Sequence, residues 1–202
     1  HAPLLRVRNL FLFMLVVSQG AWQSGFVGAA TNPTNTMWEV KNGGVDGSRQ
    51  ASLFISLLGA SGVLGSMFGA GVGGKFVQKG RRRTLFISSA IIVVGTSMTL
   101  VENIYMILFG RVVLGLGMGI ISSATPRYLQ EFVPDRLYST FAPMWSFFQT
   151  FGVLYANFMA DALPPDDDPA GLMTTGAWRY IYGVPIVNMI IMDLILVLWI
   201  RY

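Results

Sequence analysis

Six stretches of the chain are almost free of charge and rich in Leu, Ile, Val, Phe, Met and Gly: residues 10–30, 51–75, 83–101, 104–124, 138–160 and 180–200. Each approaches or exceeds the roughly 20 apolar residues that an α-helix needs to cross the hydrocarbon of a bilayer. Polar, turn-rich segments separate them. The pattern predicts an all-α integral membrane protein in which residues 1–202 form a single bundle of six transmembrane helices. Arg6 and Arg8 ahead of the first stretch resemble the start of a signal peptide, but the apolar run continues to Ala30, long enough to span.

The loops differ in charge. Residues 31–50 carry Glu39, Lys41, Asp46 and Arg49, which cancel; residues 76–83 carry Lys79, Arg81, Arg82 and Arg83; Glu102-Asn103 is a tight turn; and residues 161–178 hold the acidic run Asp166-Asp167-Asp168. Alternating the loops across the membrane collects Arg6, Arg8, the cluster from Lys75 to Arg83, Arg127, Arg136 and Arg201 on one side. That bias places both termini on the cytoplasm-like side, with the acidic run opposite. Trp38, Trp178 and Trp199 fall where interfacial aromatic rings are expected.

Composition changes the picture little and excludes much. With 53% hydrophobic and 12% charged residues, the chain is too apolar for an ordinary soluble domain, as its mean hydropathy of +0.56 agrees. The net charge of +4 is spent in short loops beside the spans, which argues for membrane orientation and against nucleic acid. There is no cysteine, and the one histidine is His1, so thiolate or imidazole metal sites and a cysteine nucleophile are excluded. Neither an enzyme nor a cofactor site is expected.

Glycine is concentrated in the second span, at Gly59, Gly62, Gly65, Gly69, Gly71, Gly73 and Gly74, and again in the fourth, at Gly110, Gly115, Gly117 and Gly119. Small residues three and four apart let helix backbones approach closely in lipid, where packing rather than hydrophobicity drives association. Pro143 and Pro185 remove backbone donors inside the fifth and sixth spans.

Two stretches carry a resemblance. Residues 73–83, Gly-Gly-Lys-Phe-Val-Gln-Lys-Gly-Arg-Arg-Arg, resemble the loop signature of the major facilitator superfamily, Gly-x-x-x-(Asp/Asn)-(Arg/Lys)-x-Gly-(Arg/Lys)-(Arg/Lys). Gly73, Gly80, Arg81 and Arg82 match; Val77 stands at the acidic or amide position and Gln78 at the first basic one. Gly110-Arg111, Gly115 and Gly119, then Pro126, Tyr128, Glu131 and Pro134, resemble the fourth-helix signature of that superfamily's sugar porter branch. The pattern breaks after Pro134, where Tyr138 and Ser139 replace Arg-Gly. Trp178-Arg179 ahead of the sixth span is similar to the branch as well.

The resemblance implies the N-terminal six-helix half of a twelve-helix secondary transporter that binds a hexose or similar small polar solute near the midplane. It implies gating by Arg81, Arg82 and Glu131. The family's helix-five glutamine aligns with Ser146; Gln149 lies three residues along the same helix, and Asn157 matches a further amide position. Gln19 and Gln23 are candidate lining amides on the first helix, because an amide meets hydroxyls as donor and acceptor without a buried charge. The same amides could instead tie helices together. Arg111 is grouped with the gating residues and is expected to pair with Glu102, with solute contact as the alternative. Asp193, at membrane depth, is a candidate for proton coupling, for contact with another subunit or for a buried hydrogen bond. Because Val77, Gln78, Tyr138, Ser139 and Ser146 depart from the pattern, the alternative is a degenerate half-transporter serving as an accessory subunit of a larger membrane complex. The expected partners are the bilayer, a sugar-like solute, and a second six-helix half or other membrane subunits.

Overall fold

A segment in hydrocarbon has to satisfy its backbone N–H and C=O groups internally, which makes the helix the outcome for these apolar stretches. The computed structural model describes residues 2–31, 34–41, 49–78, 80–133, 135–164 and 169–200; His1, Lys79, Pro134, Asp166-Asp167-Asp168 and Arg201 lie outside them. The described residues form eight α-helices: α1 (Ala2–Ala29), α2 (Asn35–Lys41), α3 (Arg49–Gln78), α4 (Arg81–Thr99), α5 (Ile104–Phe132), α6 (Asp135–Phe158), α7 (Pro169–Thr174) and α8 (Trp178–Ile200). A 3-10 turn, Met159–Ala162, follows α6.

The six long helices, α1, α3, α4, α5, α6 and α8, coincide with the six apolar stretches. Three of them, over Ser52–Gln78, Ile104–Glu131 and Trp178–Val197, meet both the length and the hydropathy expected of a membrane span. Helix α5 runs to Phe132, well past the predicted end at Ala124, with Pro126 inside it. The apolar run marks only the most hydrophobic part of the helix, and the charged turns at 127–131 continue it. Serine and threonine hydroxyls bond back to the preceding turn around that proline, from Ser122 to the Met118 carbonyl and from Thr125 to the Ile121 carbonyl, both at 2.8 Å.

Helices α2 and α7 fall where plain loops were expected. They are seven and six residues long, too short to show a periodic pattern. They dock onto each other, and α2 docks onto α3. Met37, Trp38, Leu172 and Trp178 are buried in one cluster with Phe26, Phe54 and Tyr182. The Trp38 and Trp178 rings meet edge to face at 5.1 Å. Both tryptophans form a packed aromatic cap at this end of the bundle.

The turns that reverse the chain are locally specified. Asn103 N-caps α5 by accepting from the Tyr105 and Met106 amides. Gly80 has φ +130°, a conformation reserved for glycine, and it makes the sharp α3–α4 turn. Thr84 closes that turn by donating to the Phe76 and Gly80 carbonyls at 2.7 and 2.9 Å.

Packing follows the glycines. Helices α3 and α5 run side by side in parallel register: a Cβ on Gly65 would fall on the Val112 carbonyl, one on Gly69 on the Leu116 carbonyl, and one on Gly73 on the Ser123 hydroxyl. From the other side, Gly115 and Gly119 rest on the Gly62 and Ser66 carbonyls. Gly25 against Gln149 and Gly152 against Trp22 bring α1 onto α6 in the same way. Gly95 and Gly117 admit α5 to α4 in antiparallel register. Helix α8 packs on α1 and α4. Thus α1 and α5 occupy the middle of the bundle, α3 and α6 flank them, and α4 and α8 pack behind.

Candidate functional site

On the side away from α4 and α8, a cleft of about 770 Å³ opens between α1, α3 and α5. Ser24 lines it from α1, Thr31 from the turn that follows α1, Ser66 from α3, and Arg111 and Ser122 from α5, among apolar residues such as Val27, Met67 and Met118. Gly28, Gly59, Gly62, Gly115 and Gly119 complete the wall. The glycines that let α3 approach α5 also leave its mouth without side chains: a Cβ on Gly28 or Gly59 would meet nothing within 4 Å. Four hydroxyls and one guanidinium in an apolar wall are the composition of a small-molecule site.

Arg111 is the charged group of that wall and is only 6% exposed. Its guanidinium lies over Gly62, where a Cβ would sit 3.6 Å from Nη2 and 3.7 Å from Nε. Its Nε is buried and has no hydrogen-bond partner among the described residues. The expected pairing with Glu102 is not formed. Glu102 instead meets Arg179 at 3.3 Å, both side chains about half exposed, and the Arg179 guanidinium lies 5.3 Å from the Trp178 ring centroid. Glu102 precedes α5 and Arg179 opens α8 at the same end of the bundle. Arg111, two turns inside α5, faces the cleft.

The predicted amides are dispersed. Gln23 is fully buried and accepts from Asn188 Nδ2 at 2.8 Å, while Asn188 also reaches the Gln19 carbonyl at 3.4 Å. These bonds tie α1 to α8, the helix-linking role of an amide within a span. Gln149 is half-buried in the seam between α6 and α1, with its carbonyl against Gly25. Asn157 is exposed on α6 and donates to the Val153 carbonyl of its own helix at 2.9 Å; Ser146 is exposed one turn before Thr150, which donates to its carbonyl. None of these lines the α1–α3–α5 cleft. Asp193 lies in the α8–α4 seam, where its Oδ2 accepts from Ser89 at 2.8 Å. A buried hydrogen bond was one of its three expected roles; its other oxygen, Oδ1, is buried without a hydrogen-bond partner among the described residues. Arg82 and Glu131 are exposed near the end where α4 begins and α5 finishes, and Arg81 opens α4.

The cleft hydroxyls were not singled out in the sequence. Their signal is spacing: Ser24 and Gly28 are four residues apart, with Thr31 three further on just past α1, and Gly115, Gly119 and Ser122 recur at four and three residues on one face of α5. Small polar residues there read equally as close-packing residues, which is why the pattern alone does not separate a cleft from a seam.

A sequence profile described as "Sugar (and other) transporter" matches residues 12–200. The chain is 30% identical over 142 residues to the glucose transporter HT1 of Trypanosoma vivax, covering 66% of this chain and 25% of that protein. It is likewise 30% identical over 132 residues to the galactose-proton symporter of Escherichia coli K12, covering 62% and 26%. In Plasmodium falciparum, hexose transporter 1 is 30% identical over 152 residues, covering 72% and 30%. Among solved structures, the proton:xylose symporter XylE bound to 6-bromo-6-deoxy-D-glucose superposes with a TM-score of 0.80 at 20% identity over 98% of this chain. A partially occluded, inward-open form of XylE gives 0.79 over 96%. The chain spans about half of those solved chains, 45% and 50%, and its matched stretch about a quarter to a third of the curated relatives. These relatives are transporters and not enzymes. The chain is a multi-pass integral membrane protein that belongs to the sugar transporter family of the major facilitator superfamily.

Proposed function

We propose that this chain forms the N-terminal six-helix half of a secondary transporter that moves a sugar-sized polar solute by alternating access, with the solute held in the α1–α3–α5 cleft. The observation that carries the reading is the cleft itself: about 770 Å³, walled by apolar residues and furnished with Ser24, Thr31, Ser66, Ser122 and Arg111. The parallel α3–α5 and antiparallel α4–α5 registers support helices that alternate in direction, as six successive crossings require. The named activities of the relatives, with glucose, galactose and hexose among them, supply the solute class.

In this proposal the termini and the α3–α4 turn face the cytoplasm-like side, in keeping with the basic residues there. Arg81, Arg82 and Glu131 steady that end of the bundle during the cycle. A second six-helix half, or another membrane subunit, covers the open side of the cleft. Gln149 and Asn157 lie on α6 outside the cleft and are proposed as solute contacts only along the open side that a second half would cover, whereas Gln23 is engaged by Asn188 and Asp193 by Ser89. The α4–α8 tie is thus the proposed place of Asp193, and a changed pH dependence of uptake in Asp193→Asn would give it the coupling proton instead.

The test is uptake of labelled D-glucose into proteoliposomes carrying the native-length protein. Ser66→Trp, which fills the cleft, is expected to abolish uptake, while Gly71→Trp, whose position faces open space, is expected to preserve it. Uptake that survives Ser66→Trp removes the cleft from the path. Unchanged uptake in Gln149→Ala together with Asn157→Ala removes the α6 contacts.

A further inference from the structure

An isolated guanidinium at membrane depth is costly, and such groups are paired or face a polar path. Arg111 is more than nine-tenths buried and lines the cleft, and its buried Nε has no hydrogen-bond partner among the described residues. The carboxylates that could have met it are placed elsewhere: Glu102 is with Arg179 and Asp193 is with Ser89. A small void beside the cleft joins Arg111 to Tyr182, but the Tyr182 hydroxyl is already engaged. It accepts from Trp38 Nε1 at 3.2 Å and shares 2.8 Å with Thr34 Oγ1. Thr34 directs its own proton to the Thr31 carbonyl at 3.0 Å, which leaves the tyrosine as donor in that pair. The Tyr182 proton is thus committed to Thr34, and no hydrogen bond joins its hydroxyl to Arg111.

We propose that Arg111 is an anion-recognition residue of the cleft, and that the solute class is a sugar-sized molecule bearing one carboxylate, such as a hexuronate. This deepens the reading that the cleft is the solute site, and rests on it. Three features select the class. Guanidinium is a planar donor that matches a carboxylate in a charge-assisted, bidentate pair. Arg111 is the sole charged residue in the cleft wall, so one negative charge is balanced, whereas a phosphate dianion would keep an uncompensated charge at membrane depth. Ser24, Thr31, Ser66 and Ser122 supply hydroxyls for the rest of a polyol. A neutral hexose would leave the guanidinium without a counter-charge and hence bind less well.

The test is direct binding of labelled D-glucuronate and D-glucose to the purified native-length protein, by scintillation proximity, for the wild type, Arg111→Lys, Arg111→Gln and Ser66→Trp. Wild type is expected to bind glucuronate about tenfold or more tighter than glucose, from one charge-assisted pair. Arg111→Lys should keep part of that preference because it keeps the charge. Arg111→Gln should bring the glucuronate-to-glucose ratio to about one, and Ser66→Trp should abolish both ligands. Glucose binding that Ser66→Trp blocks, with no preference for glucuronate in the wild type, overturns the anion proposal and leaves the cleft as a sugar site. A glucuronate preference that persists in Arg111→Gln also overturns it, and binding of neither ligand overturns both readings.

Discussion

Gly115 of α5 rests against the carbonyl of Gly62 on α3, so close that a Cβ on Gly115 would overlap that carbonyl. The same contact sets the back of the cleft, since both residues line it. Helix packing and the shape of the cleft therefore depend on one row of small residues.

The first consequence concerns Gly65 and Gly71, two glycines of α3 that sequence treats alike. Gly65 faces the Val112 carbonyl, whereas Gly71 faces open space. Gly65→Leu is expected to destabilise by about 1–3 kcal/mol or more through overpacking, and Gly71→Leu to be near neutral. Thermal midpoints of the two variants in mild detergent, followed by size-exclusion recovery, separate them; equal midpoints contradict the register.

Asn188 and Gln23 give a second test. Asn188→Leu leaves the Gln23 oxygen buried and unpaired, a loss of about 1–3 kcal/mol. Adding Gln23→Leu should recover part of that loss, because no orphaned acceptor then remains. Additive losses across the double-mutant cycle would show that the two amides are not coupled.

For Glu102 and Arg179, the prediction is a small effect. Both side chains are about half exposed, and such pairs contribute about 0–1 kcal/mol. Glu102→Gln is expected to shift the thermal midpoint little and to leave solute binding unchanged, since the cleft guanidinium belongs to Arg111. A marked loss of binding in Glu102→Gln would restore the pairing of Glu102 with Arg111.

How far the sequence reaches is visible in these same residues. The six long helices were legible because each carries a long, nearly uncharged apolar stretch, so hydrophobicity alone marks it. The glycine seam was legible because spacing on one helix fixes which residues share a face. The Arg111 environment was not, since Glu102 lies close to Arg111 along the chain and its true partner, Arg179, is 77 residues away. Gln23 illustrates the same limit: an amide in a span looks identical whether it faces a solute or, as here, Asn188 on a neighbouring helix. Helices α2 and α7 were invisible because their stability comes from docking Trp38 and Leu172 into the aromatic cap, a tertiary effect.

The absence of native cysteine permits one measurement that addresses the cleft directly. Single cysteines at Ser66, Ser122 and, as an outward control, Tyr105 would be labelled with a small hydrophilic thiol reagent, with and without saturating D-glucose or D-glucuronate. Tyr105 is 80% exposed and does not line the cleft. Slower labelling of Ser66→Cys and Ser122→Cys in the presence of solute, with Tyr105→Cys unaffected, is the expected result. Labelling of both cleft positions at the same rate with and without either solute would contradict a solute site between α1, α3 and α5.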